Sequence, residues 1–320
     1  MKASYRSHYC SPDEIQLKEI PIPEPKANEV LVEIKATTVN RTDMGVLTGK
    51  PYAMRAFAGF PNPKKPVTGT DFAGIIKKVG AEVKEFKEGD RVWGFNDNGA
   101  GTHAEFACYP VKDALLKFPD SIDFAEMVTC AEGAHYAVNF INKVNLSAGM
   151  KVLVNGGTGA IGSAAIQILK SMGIEVTAVC FQKDAELVKS LGPDRVIEIE
   201  KQDFTQENHH YDFVFDAVGK SRFSLCKRIL KPDGIYISSE LGPNWENLWR
   251  AMGTPFLGKP KVIFPIPTDI QESMKKVQDL YLQGKFKPLI DPKRFTLDQI
   301  REAFTYVSSG KKIGNVILEI

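Results

Sequence analysis

Gly157, Thr158, Gly159, Ala160, Ile161 and Gly162 follow the apolar run Val152-Leu153-Val154 by way of Asn155-Gly156 and precede a helical pattern from Ala164 to Met172. Glycines at this spacing permit a tight turn, close approach of backbone to a pyrophosphate, and close packing of the next helix on the strand. The helix start then offers N–H groups and the positive end of its dipole to the anion. Glycine spacing alone is a weak signal. Strand, turn and helix stand here in the required order, however, so the segment predicts a dinucleotide site rather than a packing turn. The end of the next strand reads Val179-Cys180-Phe181-Gln182-Lys183 and holds no carboxylate for a ribose 2′-hydroxyl. Lys183 would pair with a 2′-phosphate, which favours NADPH; its competing role is a solvated residue opening the next helix.

Metal and disulfide chemistry have no comparable signal. The 5 cysteines, Cys10, Cys108, Cys130, Cys180 and Cys226, are odd in number and widely separated, so no disulfide framework or Cys-x-x-Cys knuckle is written. His209-His210 is an adjacent pair in a polar loop, and reads as solvated. Lys and Arg total 41 against 39 Asp and Glu, without a long basic run, which gives no footprint for nucleic acid or an anionic membrane. There is no apolar stretch of about 18 residues. Met1 to His8 lacks the apolar core of a signal peptide, so the expected location is the cytoplasm.

The elements that must position the glycine turn are legible in outline. With 320 residues, 43% hydrophobic, the chain is long enough for two domains. Its first third is rich in Pro and Gly and carries short β-like runs at Val30 to Ile34, Phe72 to Val79, Arg91 to Phe95 and Ala104 to Cys108, which predict a mostly antiparallel β domain. A helix is expected from Phe124 to Lys143. Strands follow at Val152 to Val154, Val176 to Cys180, Val196 to Ile199, Phe213 to Asp216, Ile235 to Ser238 and Val262 to Phe264, alternating with helical segments. That alternation predicts right-handed βαβ units in an α/β, doubly wound parallel sheet. Helices at Ile270 to Leu282 and Leu297 to Ser308 and a strand at Asn315 to Ile320 have no glycine turn of their own, and are expected to return to the first domain. The predicted division is 1–123 with 265–320, and 124–264.

Several short segments, in order, carry a family resemblance: Glu29-Val30-Leu31-Val32, Val39-Asn40-Arg41-Thr42-Asp43, Gly69-Thr70-Asp71-Phe72-Ala73-Gly74, Gly89-Asp90-Arg91-Val92, the glycine turn, Phe215-Asp216-Ala217-Val218-Gly219 and Gly314-Asn315-Val316-Ile317-Leu318. Together they resemble the medium-chain dehydrogenase/reductase superfamily, in its zinc-independent quinone oxidoreductase-like and enone or alkenal reductase-like branch. The resemblance covers essentially the whole chain and implies a Rossmann domain joined to a mainly β, GroES-like catalytic domain. Zinc-dependent members place Cys where this chain has Asn40 and a His-Glu pair where it has Thr70-Asp71, and their four-cysteine lobe is missing after Val92. No zinc is therefore expected.

Without a Lewis acid, the resemblance implies hydride transfer from NADPH to an activated double bond, in an α,β-unsaturated carbonyl or a quinone. Charge then builds on the carbonyl oxygen, which needs a hydrogen-bond donor, and the α-carbon needs a proton. Asn40 is the candidate for the substrate and nicotinamide edge, or else a turn residue bonded to local backbone. Tyr52 is a candidate donor, with water the alternative. Further cofactor contacts are implied at Cys180, Val218, Leu241, Phe264 and Asn315. The apolar loop Tyr52 to Phe60 and the helically spaced Trp245, Leu248, Trp249 and Met252 are candidate pocket walls, the latter alternatively core or dimer contact. Edge pairing of Val262-Ile263-Phe264 would make a homodimer. Two other functions compete: a zinc-free cofactor-binding protein with a structural or regulatory role, and, disfavoured by the absent ligands, an alcohol dehydrogenase.

Overall fold

Apolar runs flanked by turn residues form the strands of two large sheets, beside a small two-stranded one near the N-terminus. A computed structural model describes all residues except 53, 239, 258–260, 267 and 268, and all side chains within its elements except those of 57, 243 and 254–257. Internal contacts divide the chain into two units, Met1–Glu132 with Ile270–Lys275 and Ile290–Ile320, and Gly133–Asp269 with Lys276–Leu289.

The first unit holds β1 (Lys2–Tyr5), β2 (Gln16–Glu19), β3 (Glu29–Val39), β4 (Asp71–Val79), β5 (Arg91–Phe95), β6 (Phe106–Pro110) and β7 (Leu115–Lys117), with helices α1 (Arg41–Thr48), α2 (Met54–Ala58) and α3 (Phe124–Val128). β3 is its axis. It pairs antiparallel with β4 on one side and, along different stretches, with β6 and with a strand from the chain's far end. Buried Val30, Val32, Ile34, Phe72, Ile76 and Val92 fill the space this curled sheet encloses.

The second unit begins within helix α4 (Glu132–Asn142). It contains β8 (Lys151–Asn155), α5 (Ala160–Ser171), β9 (Glu175–Cys180), α6 (Ala185–Ser190), β10 (Arg195–Glu198), β11 (Tyr211–Asp216), α7 (Phe223–Cys226), β12 (Leu230–Ser238), α8 (Glu246–Leu257) and β13 (Lys261–Ile263). The six strands are all parallel, in the order β10-β9-β8-β11-β12-β13. Counted from β8 this is the 3-2-1-4-5-6 order of a doubly wound dinucleotide fold, with its switch point between β8 and β11. Val152, Leu153 and Val154 are buried without interruption, as expected for a strand covered on both faces.

The chain then runs through α9 (Ile270–Leu282), β14 (Phe295–Thr296), α10 (Ile300–Ser308) and β15 (Val316–Glu319). In α10 the residues Ile300, Ala303, Phe304 and Val307 recur at helical spacing and are buried against Val39, Leu47, Val316 and Leu318. Emptying the Phe304 site by truncation to Ala costs about 3–5 kcal/mol.

Several expectations need correction. The helix expected from Phe124 to Lys143 is two helices, α3 and α4. Between them the Thr129 hydroxyl donates to the Glu126 carbonyl, and the N–H groups of Cys130 and Ala131 bond three residues back. This tightened turn ends α3. The strand expected at Ala104 to Cys108 runs instead from Phe106 to Pro110. By internal contacts the second unit runs from Gly133 and includes Lys276–Leu289, where Gln167 on α5 binds the backbone of Lys287 through both its amide group and its oxygen.

Candidate functional site

The glycine turn lies where β8 ends and α5 begins. Gly156, which the sequence reading left out of the site, turns the chain with φ +92. A Cβ there would stand 2.4 Å from Val218 Cγ1, so the turn is packed directly on the loop after β11. A Cβ on Gly162 would lie 2.1 Å from the Gly156 carbonyl oxygen, which makes this glycine the close contact of helix on turn. Gly159 differs. It is the N-cap of α5, with ordinary dihedrals and no side-chain cap, and a Cβ there would meet only the Gly156 oxygen, at 3.4 Å. Open space therefore lies before the uncapped N–H groups of a twelve-residue helix. The residues present fit a pyrophosphate there: small, uncharged and rich in backbone donors.

The loop carrying Val218 is organised by Asp216, the buried last residue of β11. Asp216 accepts hydrogen bonds from Asn155 Nδ2 at 2.9 Å, the Tyr236 hydroxyl at 2.8 Å and the N–H groups of Gly219 and Ser221 at 3.1 and 3.2 Å. Ala217 N–H bonds the Asn155 carbonyl at 3.0 Å, tying the ends of β8 and β11 together at the switch point. Cys180, Leu241 and Phe264 lie at or beyond the C-terminal ends of β9, β12 and β13, the same edge of the sheet. Cys180 is buried, Leu241 and Phe264 are half-buried, and Lys183 is exposed. Asn315 belongs to the other unit, buried ahead of β15, where its carbonyl accepts from Asp291 N–H at 2.8 Å.

In the first unit Asn40 caps α1. Its Oδ1 accepts from Asp43 N–H at 2.8 Å, and Asp43 Oδ2 accepts from Asn40 N–H at 3.0 Å. Its Nδ2 group donates to Thr70 Oγ1 at 3.1 Å and Thr38 Oγ1 at 3.3 Å. The Asn40 oxygen thus caps the local backbone, while its amide nitrogen is bonded to the side chains of Thr38 and Thr70. Asp71 is fully buried and accepts from Thr38 N–H at 2.7 Å, Thr38 Oγ1 at 2.6 Å and Thr37 Oγ1 at 3.0 Å. Burial outweighs these bonds and pushes its carboxyl up to about 7. Burial, reinforced by Asp71, also raises Asp43. The set does not fit catalytic zinc: Asn40 and Thr70 supply an amide and a hydroxyl, and the Asp71 carboxylate is turned to Thr37 and Thr38.

Two buried groups here were not singled out in the sequence. His103 bonds Thr68 Oγ1 through Nδ1 at 2.8 Å and the Thr38 carbonyl through Nε2 at 2.9 Å, and burial pushes its pKa down to about 4. It is a neutral imidazole with its proton assigned to Nε2, because a carbonyl can only accept. Glu132 accepts from the Thr42 hydroxyl at 2.8 Å, and burial raises its carboxyl. Their types gave no signal, since the spacings from 103 to 38 and from 132 to 42 follow only from the fold.

Tyr52 is 72% exposed, its ring 4.9 Å from the Arg55 guanidinium carbon, so it stands on the surface and not in the Asn40 network. Ala53 of the same loop and the Phe57 side chain lie outside the described residues. Trp245, Trp249 and Met252 are exposed rather than core. His135 is buried in α4 and pushed down to about 4 by desolvation.

Comparison with known proteins accords with this geometry. Residues 26–120 match the alcohol dehydrogenase GroES-like domain, and residues 191–318 match a model described as zinc-binding dehydrogenase. The chain is 31% identical over 329 residues to a 2-methylene-furan-3-one reductase from Solanum lycopersicum, covering 99% of this chain and 79% of that protein. It is 30% identical over the same coverage to an NADPH-dependent alkenal/one oxidoreductase, chloroplastic, from Arabidopsis thaliana. A quinone oxidoreductase structure from Coxiella burnetii superposes with a TM-score of 0.86 over 100% of this chain and 99% of that one, at 21% identity, a likeness of fold. The chain belongs to the medium-chain dehydrogenase/reductase superfamily, in its quinone and enone reductase branch.

Proposed function

We propose that this protein is a zinc-independent, NADPH-using reductase of α,β-unsaturated carbonyls or quinones. The observation that carries the reading is the open face of Gly159 before the uncapped start of α5, at the switch point of a parallel sheet. The bound cofactor supplies a hydride. The chain supplies the pyrophosphate seat at Gly157, Thr158, Gly159, Ala160, Ile161 and Gly162, with Cys180, Lys183, Val218, Leu241 and Phe264 along the same sheet edge. Asn40 holds α1 through its cap, and to donate to a carbonyl it must exchange one of its bonds to Thr38 and Thr70. Tyr52 is solvated, which favours water as the source of the final proton.

Among the described residues β13 ends the six-stranded sheet and pairs only with β12, so its outer edge suits antiparallel addition of a second copy, making a homodimer. The 5 cysteines are free thiols, which suits a reducing compartment such as the cytoplasm. No helix among the described residues is long and apolar enough to cross a membrane.

NADPH oxidation measured against a panel of quinones and enones tests the activity. Acceptor-dependent, saturable turnover is expected. Tight NADPH binding without turnover on any acceptor would instead favour a structural or regulatory cofactor-binding protein.

A further inference from the structure

The backbone N–H of Gln182, just beyond β9, donates to Glu200 Oε2 at 2.8 Å. Gln182 opens the helical turn Gln182–Asp184, and Glu200 lies just past β10, whose Glu198 is paired with Cys180 in parallel register. Ile199 N–H bonds the Cys180 carbonyl at 3.0 Å, which keeps the two strand ends together. A carboxylate from the third strand of the fold is thereby brought to the end of the second. That strand end is where a doubly wound sheet reads the adenosine ribose, with an acid accepting from the 2′-hydroxyl. The C-terminal end of β9 and its immediate continuation, Cys180-Phe181-Gln182, hold no acid.

We infer that Glu200 sets the choice between the two dinucleotides and that the protein accepts NADH as well as NADPH. This rests on the cofactor reading above. Glu200 acts twice against a 2′-phosphate: it occupies the Gln182 N–H that the phosphate would take, and it adds a like charge beside it. For a ribose 2′-hydroxyl the same carboxylate is an acceptor. Lys183, on this turn, works in the opposite sense. Other nearby cations are tied to acids, Lys201 to Glu198 at 2.5 Å and Lys189 to Glu186 at 2.6 Å. With Glu200 and Lys183 opposed at an exposed ribose end, and Asp184 of the same turn buried, neither cofactor is strongly excluded.

The test compares wild type with Glu200→Gln, which keeps a side-chain oxygen to accept from Gln182 N–H while losing the charge. NADPH, NADH and the fragments 2′,5′-ADP and 5′-ADP are each titrated by calorimetry. Wild type is expected to bind both dinucleotides with affinities within about tenfold of each other. The variant is expected to bind NADPH and 2′,5′-ADP about threefold to tenfold more tightly, the range for removing one exposed like charge from a doubly charged phosphate. NADH and 5′-ADP should bind equally or more weakly, with an unchanged melting temperature. An unchanged NADPH to NADH ratio in a normally folded variant would overturn the role of Glu200 while leaving the cofactor reading intact. If neither dinucleotide binds wild type, the cofactor reading falls and this inference with it.

Discussion

Gly159 and Gly162 are three residues apart in one motif, yet the structure separates their roles, and substituting each in turn exposes the difference. At Gly162 an added Cβ would sit 2.1 Å from a backbone oxygen, where ordinary contact begins near 3.4 Å, so the turn or the helix must move by more than 1 Å. Overpacking of this kind costs about 1–3 kcal/mol. Gly162→Ala should therefore melt roughly 2–12 °C below wild type, at 2–4 °C per kcal/mol for a unit of this size. At Gly159 the Cβ meets one atom at 3.4 Å and the backbone, φ −73 and ψ 162, suits any residue. Gly159→Val should keep its melting temperature within about 2 °C, while its methyl groups fill the space before the helix N–H groups. Losing two charge-assisted hydrogen bonds there, at about 1.5–3 kcal/mol each, lowers NADPH affinity about a hundredfold or more. Scanning calorimetry with and without NADPH reads both quantities. Wild type gains about 2.7 kcal/mol at a hundred times its Kd, and Gly159→Val should gain almost nothing. Wild-type NADPH affinity in Gly159→Val would show that the pyrophosphate lies elsewhere. A wild-type melting temperature in Gly162→Ala would refute the packing argument.

Elemental analysis after purification without chelators should find far less than one zinc per chain, with activity unaffected by prolonged chelation; stoichiometric zinc would overturn the argument from Asn40, Thr70 and Asp71. Lys183→Ala should lose NADPH affinity by up to about tenfold with NADH affinity unchanged, and equal loss for both would remove Lys183 from the ribose end. His135 is held neutral, its pKa down at about 4 against an ordinary 6.5, so the unfolded chain takes up its proton first as pH falls. Its contribution is full above about 6.5 and lost progressively towards 4, about 3 kcal/mol in all. Buried carboxyls raised by desolvation, Asp71 among them, act oppositely, so the measurement is the difference in unfolding free energy between wild type and His135→Gln. That difference should shift against wild type between pH 6.5 and 4, and a flat difference would show that the imidazole is not desolvated.

The parallel sheet was the most legible part of the chain because buried strands such as Val152-Leu153-Val154 are apolar throughout and glycines mark their ends. The sequence predicts one helix through Thr129 because apolar residues on both sides, Met127 and Val128 before it and Ala134 and Ala137 after it, sustain the helical pattern across the tightened turn that ends α3. β2 is exposed along its whole length, and so lacks the alternation that announces a strand. The site divides similarly. The turn Gly157 to Gly162 is local, so its chemistry can be read from neighbours in sequence. Asn40 spends its amide on Thr70, thirty residues away, and Glu200 reaches the end of β9 only through the register of β10 on β9. Contacts of this kind have no local pattern to reveal them.

The place of β15 has a consequence for the order in which the protein is made. β3, synthesised early, finds its partner β15 only after the whole nucleotide-binding unit has been translated. On a ribosome, the later-coded unit has nearly all its strands in hand while the earlier one still waits with an open edge on β3. The nucleotide-binding unit is thus an insertion within its neighbour's chain. Ending translation just before Val316 would leave that unit's sheet complete and the N-terminal unit without the strand that closes on β3.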